Sequence, residues 1–290
     1  MYPYPFSYHR PATIDDALDL IGQFGEDGKV LAGGHSLLPI MKLRLAQPAH
    51  LVDITGIDDL RGIREIDGGV EIGALTTHHD ILSSSLLASK VGLLPEMAHV
   101  VGDQQVRNRG TIGGTLAHAD PAADYPAGVL ALDATIVTIG PDGSREIAAA
   151  DFFTGFLETA LTSGELISAI RIPSLAKGTG FRYEKMANPA SGYATVGVAA
   201  VVTLASDGSI SGARIGITGA SDVAWRATLV EEALVGTTPS DESIRAAANL
   251  AIGDQELLAD VHAPAEYREQ VTRNLVFRAV KIAIGNAAGR

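Results

Sequence analysis

Leu31-Ala32-Gly33-Gly34-His35-Ser36-Leu37 is the stretch on which the reading of this chain turns. A β-prone run at residues 29–32 enters the two glycines, and residues 37–45 read as a helix with Lys42 and Arg44 on its polar side. Strand, glycine turn and helix in this order gather main-chain N–H groups at one point. Glycine lets a ligand reach them with no side chain in the way. The positive end of the helix and the Ser36 hydroxyl would add to those donors, which suits a phosphate or pyrophosphate. Taken alone, Gly-Gly-x-Ser also reads as an ordinary turn whose glycines serve only its geometry. The spacing lacks both a terminal Gly-Lys-Ser/Thr and three spaced glycines, which disfavours nucleoside triphosphate sites and Rossmann-type NAD sites.

A second loop of similar chemistry follows at Arg107-Asn108-Arg109-Gly110-Thr111-Ile112-Gly113-Gly114-Thr115. Two such loops could grip one diphosphate from both sides. The text between them is mixed α and β. Residues 6–8 read as a short strand, and Thr13 with Asp16 caps a helix whose apolar face is Ile14, Ala17, Leu18, Ile21 and Phe24, ended by Gly25. Strands are expected at 51–54 and 70–74, a helix start at 77–81 leading to a second helix that ends near Val101, a helix at 121–132 and a strand at 135–139.

The apolar strand at 166–172 stops at a stretch rich in Pro, Ser, Lys and Gly, residues 173–180, which marks a domain boundary. Beyond it, 194–204 and 210–219 form a hairpin through Asp207-Gly208, a pair suited to positive φ. The last helix carries Tyr267, Val271, Leu275, Ala279 and Ile282 on one stripe, leaving Arg268, Glu269, Arg273 and Lys281 for solvent.

The chain has 290 residues and a formal charge of -12, from 22 Lys+Arg against 34 Asp+Glu. No basic field offsets a phosphate polymer, so nucleic acid is not an expected partner. Cysteine is absent. The chain can therefore form no disulfide, ligate no iron–sulfur cluster through thiolates and hold no cysteinyl flavin. No run approaches the ~20 apolar residues of a membrane span, and the start carries no export signal, so the cytoplasm is the expected location.

Residues 31–39, Leu51-Val52-Asp53-Ile54, residues 110–115 and Asp120-Pro121-Ala122-Ala123-Asp124 together resemble the flavin-binding medium subunit of the xanthine dehydrogenase and carbon monoxide dehydrogenase family of molybdenum hydroxylases. The resemblance spans nearly the whole chain. Residues 35–45 with 51–54, and the Tyr8-His9-Arg10-Pro11 opening, are most similar to the carbon monoxide dehydrogenase branch. It implies an α+β fold: a two-subdomain FAD-binding fold of the vanillyl-alcohol oxidase type over 1–176, with subdomains of about 1–57 and 58–176, then a C-terminal antiparallel sheet with helices over 177–290.

The resemblance also implies non-covalent FAD. Ala32, Gly33, Gly34, His35, Ser36 and Leu37, with Thr111, Ile112, Gly113, Gly114 and Thr115, would hold its pyrophosphate. Asp124 would lie near the ribose or adenosine, Val101 along the flavin, Lys185 against it from the C-terminal domain, and Tyr193 on the isoalloxazine. His118 would line the cleft. Simpler readings stand beside these: charge stabilisation of a helix start for Asp124, a half-buried sheet residue for Tyr193, a polar helix start for His78-His79. Many relatives carry Asn where Thr115 stands and an acidic residue where Gly192 stands. No catalytic and no metal-binding residue is expected here.

The implied partners are a large molybdenum-cofactor subunit and a small subunit with two [2Fe-2S] clusters, assembled as a dimer of heterotrimers. Electrons would pass through FAD to a quinone or other acceptor, in the cytoplasm or at the inner face of the membrane. The competing functions are the flavin subunit of an N-heterocycle or aldehyde hydroxylase, a standalone flavin oxidoreductase, and an assembly protein that has lost its flavin.

Overall fold

Residues 2–289 are described by a computed structural model, an α+β protein with three main sheets. In the first sheet, Ser7–His9 and Gly28–Leu31 lie parallel on either side of His50–Asp53. The helix Ile14–Phe24 covers it. Thr13 Oγ1 accepts the N–H of Asp16, and Gly25, at φ 51°, ends the helix. Ala17, the one fully buried residue of that helix, packs with Val52, Ile54 and Ile57.

The second sheet is antiparallel, ordered Ile63–Ile66, Gly69–Gly73, Leu166–Pro173, Thr135–Gly140, Gly143–Ala148. The third, also antiparallel, runs Thr179–Ala187, Ala194–Leu204, Ile210–Thr218, Trp225–Arg226. Strand Ala194–Leu204 explains its largely apolar text by being buried on both faces along most of its length. Val196, Val198, Ala200 and Val202 pack towards helix Ala265–Ala288, while Ala199 and Val201 join the core of the second sheet. Between those sheets lies Tyr125–Ala131, a helix with every residue buried. A Cβ at Gly216 would sit 2.0 Å from Ala127 O, so only glycine permits this strand-to-helix approach. The wedge fixes Asp124, one residue before it, at the seam.

Several elements differ from the sequence reading for local reasons. The helix expected at 37–45 is Leu37–Lys42. Arg44 N donates to Met41 O at 3.0 Å and Leu45 N to Ile40 O at 2.9 Å around a left-handed Arg44, a Schellman closure. The helix start expected at 77–81 and the second helix expected to end near Val101 are three short helices, His78–Ser83, Ser85–Lys90 and Leu93–His99, restarted at Ser84, whose side chain accepts Leu87 N, and at Gly92. The helix expected at 121–132 begins only at Tyr125. In the hairpin turn only Gly208 has positive φ (83°), and Asp207 Oδ1 accepts from the Ser209 amide and hydroxyl.

The last helix is rotated by a residue from the expected stripe. Its buried face is Arg268, Thr272, Leu275, Val276, Ala279, Val280, Ala283 and Ala287, while Tyr267 is exposed. Arg268 is therefore no solvent residue. Its Nη1 donates to Thr195 O (2.6 Å) and Gly219 O (2.7 Å), and its Nη2 to Asp260 (2.8 Å), which repays its burial. Among the described residues no helix is long and apolar enough to cross a membrane.

Candidate cofactor site

The two glycine loops, more than seventy residues apart in sequence, interlock. A Cβ on Gly33 would fall 2.2 Å from Arg109 O and 2.8 Å from Gly110 Cα, so the first loop lies directly on the backbone of the second. Ala32 borders Gly114, whose added Cβ would lie 3.7 Å from Ala32 Cβ. Gly34, at φ 75°, adopts the left-handed conformation that glycine favours. His35 Nδ1 donates to Gly33 O at 3.0 Å with its ring exposed.

The loops are not equivalent. Among the described residues, no protein atom accepts the main-chain N–H of Gly33, Gly34, His35, Ser36 or Leu37. In the second loop, Gly113 N donates to Ala74 O (2.9 Å), Gly114 N to Thr111 Oγ1 (3.2 Å) and Thr115 N to Thr111 O (3.0 Å). Ile112 N and the Thr115 hydroxyl are also engaged, with Thr76 O and Thr111 O. The first loop thus offers donors, and the second offers close packing that holds them in place. Since Leu37–Lys42 spans six residues, free main-chain amides rather than a long helix dipole supply the positive potential. An anion such as a pyrophosphate fits that donor set.

A second group closes the site from the C-terminal sheet. Asp124 accepts the Tyr183 hydroxyl at 2.5 Å and Lys185 Nζ at 2.9 Å, and Lys185 also donates to Val100 O at 3.1 Å. The Asp124 and Lys185 side chains are each 6% exposed. Burial pushes the Asp124 carboxyl up, opposed by the nearby Lys185 charge and the Tyr183 hydrogen bond. The backbone leading into Asp124 is held by Ala194 N on Ala122 O and by Gly219 N and Thr218 Oγ1 on Pro121 O. Tyr193 reaches across to Ser36 of the first loop. Burial, then the Asp120 charge, raises its phenol above the ordinary value, which the Ser36 hydrogen bond opposes.

Ala32, Gly33, Gly34, Ser36, Gly114, Asp124, Lys185 and Tyr193 are thereby tied into one region. Val101 is half-buried, its carbonyl accepting Arg107 Nη1 at 3.0 Å. His118 ends the helix Ile112–His118, half-buried, and makes no side-chain hydrogen bond among the described residues. Tyr183 is a member that sequence reasoning missed. The alternation Phe181-x-Tyr183 on a strand was the available signal.

His78 is also misplaced by the polar-helix-start reading. Thr77 and Asp80 do form a capping box, but the His78 side chain is buried, its ring 5.3 Å from that of Tyr125. A Cβ on Gly110 would meet Nε2 at 2.6 Å. Burial first, then the neighbouring His35 and Arg107, lowers its pKa to about 4. The folded chain thus resists a proton that the unfolded chain accepts near 6.5. Stability is full above that value and is lost as pH falls towards about 4, by roughly 3 kcal/mol in total. His78→Gln is expected to flatten this part of the profile, read as denaturant midpoints between pH 7 and 4.

Residues 4–175 match the profile of the FAD binding domain in molybdopterin dehydrogenase, and residues 181–283 that of the CO dehydrogenase flavoprotein C-terminal domain. The chain belongs to the FAD-binding flavoproteins of the molybdenum hydroxylases. The carbon monoxide dehydrogenase medium chain of Hydrogenophaga pseudoflava is 43% identical to this flavoprotein over 288 residues, 99% of this chain and 100% of that one. The solved carbon monoxide dehydrogenase of the same organism, which lacks the Mo-pyranopterin moiety of its molybdenum cofactor, matches with a TM-score of 0.96 and 44% identity over 99% of both chains. Subunit alpha of the 6-hydroxypseudooxynicotine dehydrogenase complex of Paenarthrobacter nicotinovorans is 37% identical over 287 residues, 99% of this chain and 97% of that one. The flavoprotein is an oxidoreductase subunit, and FAD is the cofactor its N-terminal family profile describes.

Proposed function

We propose that this flavoprotein is the FAD-carrying electron-transfer subunit of an aerobic carbon monoxide dehydrogenase type of complex. Electrons leave a molybdenum centre in a large subunit, cross two [2Fe-2S] clusters in a small subunit, enter FAD here and pass to a quinone or other acceptor. The observation that carries the reading is the run of free amides at residues 33–37, laid on the backbone of the second loop in a chain of this family.

In this reading the amides of Gly33 to Leu37 and the Ser36 hydroxyl bind the pyrophosphate. Thr111, Ile112, Gly113, Gly114 and Thr115 hold that loop in position, and Val101, His118, Asp124, Lys185 and Tyr193 border the remainder of the cofactor. Bound FAD supplies the conversion between two-electron and one-electron chemistry. The chain's own residues bind and orient it: Lys185 sets a positive charge at the seam, and Tyr193 shields the cleft from water. The residues at 1–176 then serve as the FAD domain and those at 177–290 as its cover. A cysteine-free chain accords with clusters carried by a partner. Quantifying molybdenum, iron and FAD in the complex purified through a tag on this chain tests the reading. Near-stoichiometric molybdenum, four irons and one FAD per chain are expected, and a flavin-containing chain that oxidises substrate without partners overturns it.

The similarity to the 6-hydroxypseudooxynicotine dehydrogenase subunit favours a second reading, an N-heterocycle or aldehyde hydroxylase. Flavin bleaching by carbon monoxide in the anaerobic complex separates the two.

A further inference from the structure

We propose that the face built from the N-terminal segment and the turn at residues 43–45 docks the electron-donating subunit, which presents an apolar centre with an acidic rim. This rests on the electron-transfer reading above. Tyr2 is 87% exposed, Leu43 60% and Leu45 78%, and Arg44 ties the turn to the N-terminal segment. The Arg44 guanidinium lies 4.6 Å from the centre of the Tyr4 ring, and its Nε donates to Tyr2 O at 3.5 Å. Arg44 takes the left-handed position (φ 62°) where glycine usually closes a Schellman turn, at a cost of about 1 kcal/mol for a residue with a Cβ. The fold thus keeps a strained turn that displays two leucines to solvent, a pattern typical of interaction sites.

Charge selects the occupant. Residues 1–14 and 28–52 contain no Asp or Glu but carry Arg10, Lys29, Lys42 and Arg44, in a chain with 34 acidic residues and a formal charge of -12. The cationic region continues through residues 104–119, which hold Arg107 and Arg109 and no carboxylate. An acidic partner face is complementary to this surface, whereas most of the chain's remaining surface repels it. Position places that occupant beside the cofactor loop. The helix Leu37–Lys42 runs from the free amides of the cofactor loop straight into Leu43, and Leu38 packs on the loop so closely that a Cβ at Gly34 would meet its Cδ1 at 2.9 Å. A subunit seated here is adjacent to the cofactor loop.

The test is a tagged full-length chain carrying Leu43→Asp and Leu45→Asp, purified from its native host with its complex, beside a Leu250→Asp control on an exposed leucine of the C-terminal domain. The double variant is expected to retain at least tenfold less iron–sulfur absorbance and molybdenum per chain at an unchanged melting temperature, with the control at the wild-type level. Lys42→Glu is expected to weaken retention more at low salt than at high salt. Wild-type retention in the double variant overturns the proposal. So does a loss confined to self-association in sedimentation, or to binding of phosphatidylglycerol vesicles, with the complex intact. A wild-type chain that brings down no molybdenum or iron–sulfur protein refutes the electron-transfer reading itself, an outcome distinct from failure of this surface.

Discussion

Gly33→Ala is expected to lower the FAD content of the purified complex at least tenfold. The added Cβ would lie 2.2 Å from Arg109 O, 2.8 Å from its carbonyl carbon and 2.8 Å from Gly110 Cα. All three are main-chain atoms that cannot rotate away, so the two loops must part, and the amides of residues 33–37 lose their alignment. The comparison with neighbouring glycines sharpens the expectation. At Gly34 an alanine meets the movable Leu38 side chain and pays about 1 kcal/mol for its left-handed backbone. At Gly114 it meets Thr111 Oγ1 at 2.8 Å, a side-chain cap that can turn aside. Flavin absorbance per chain should therefore fall in the order Gly33, Gly34, Gly114, with the sharpest drop at Gly33. Equal flavin content in Gly33→Ala and wild type is incompatible with the interlocked loops.

Lys185→Met is expected to produce the largest loss of stability of any single substitution at the seam. Asp124 would be left buried with the Tyr183 hydroxyl alone, and removing one member of a buried pair costs about 3–5 kcal/mol. For a chain of this size that corresponds to a melting temperature lower by about 10 °C. The pH dependence identifies the cause. Burial already pushes the Asp124 carboxyl up, and without the lysine it rises further above its unfolded value. A group raised in the folded state contributes stability at acid pH that is lost as pH climbs through the folded value, so the deficit of Lys185→Met should be larger at pH 8 than at pH 5. Asp124→Asn in the same chain should recover part of the loss, because it removes the stranded charge. A deficit that does not vary with pH would assign the effect to packing instead.

The parts of this molecule legible in sequence are those governed by neighbours a few residues away. Thr13 and Asp16 announce their helix, because a cap needs only its own first turn, and the helix start at 77–81 was legible as well. The run at 194–204 was readable as a strand, since burial on both faces leaves only Thr195 and Thr203 as polar residues in it. The two glycine loops stood out as phosphate-like, and the family resemblance was carried by those same residues. Their unequal roles were not legible: that Gly113 donates to Ala74 O while Gly34 keeps its amide free depends on the residue that follows the strand Gly69–Gly73, far upstream. Arg268 and His78 misled for the same reason. A charge or an imidazole reads as solvent-facing until the carbonyls of Thr195 and Gly219, or the ring of Tyr125, arrive from distant segments. The strand Thr179–Ala187, two thirds of whose residues are polar or small, was hidden as well, and with it Tyr183 as the partner of Asp124.

The claim underlying all of this is that the chain holds FAD on its first glycine loop, braced by the second, in order to receive electrons from a partner. Anaerobic rapid mixing of the native complex with carbon monoxide, followed at the flavin absorbance band, tests it most directly. The account predicts that the flavin bleaches after the iron–sulfur absorbance does, and that the isolated chain reconstituted with FAD stays oxidised under the same gas. Bleaching of the isolated chain, or a complex turning over with its flavin band unchanged, would contradict it.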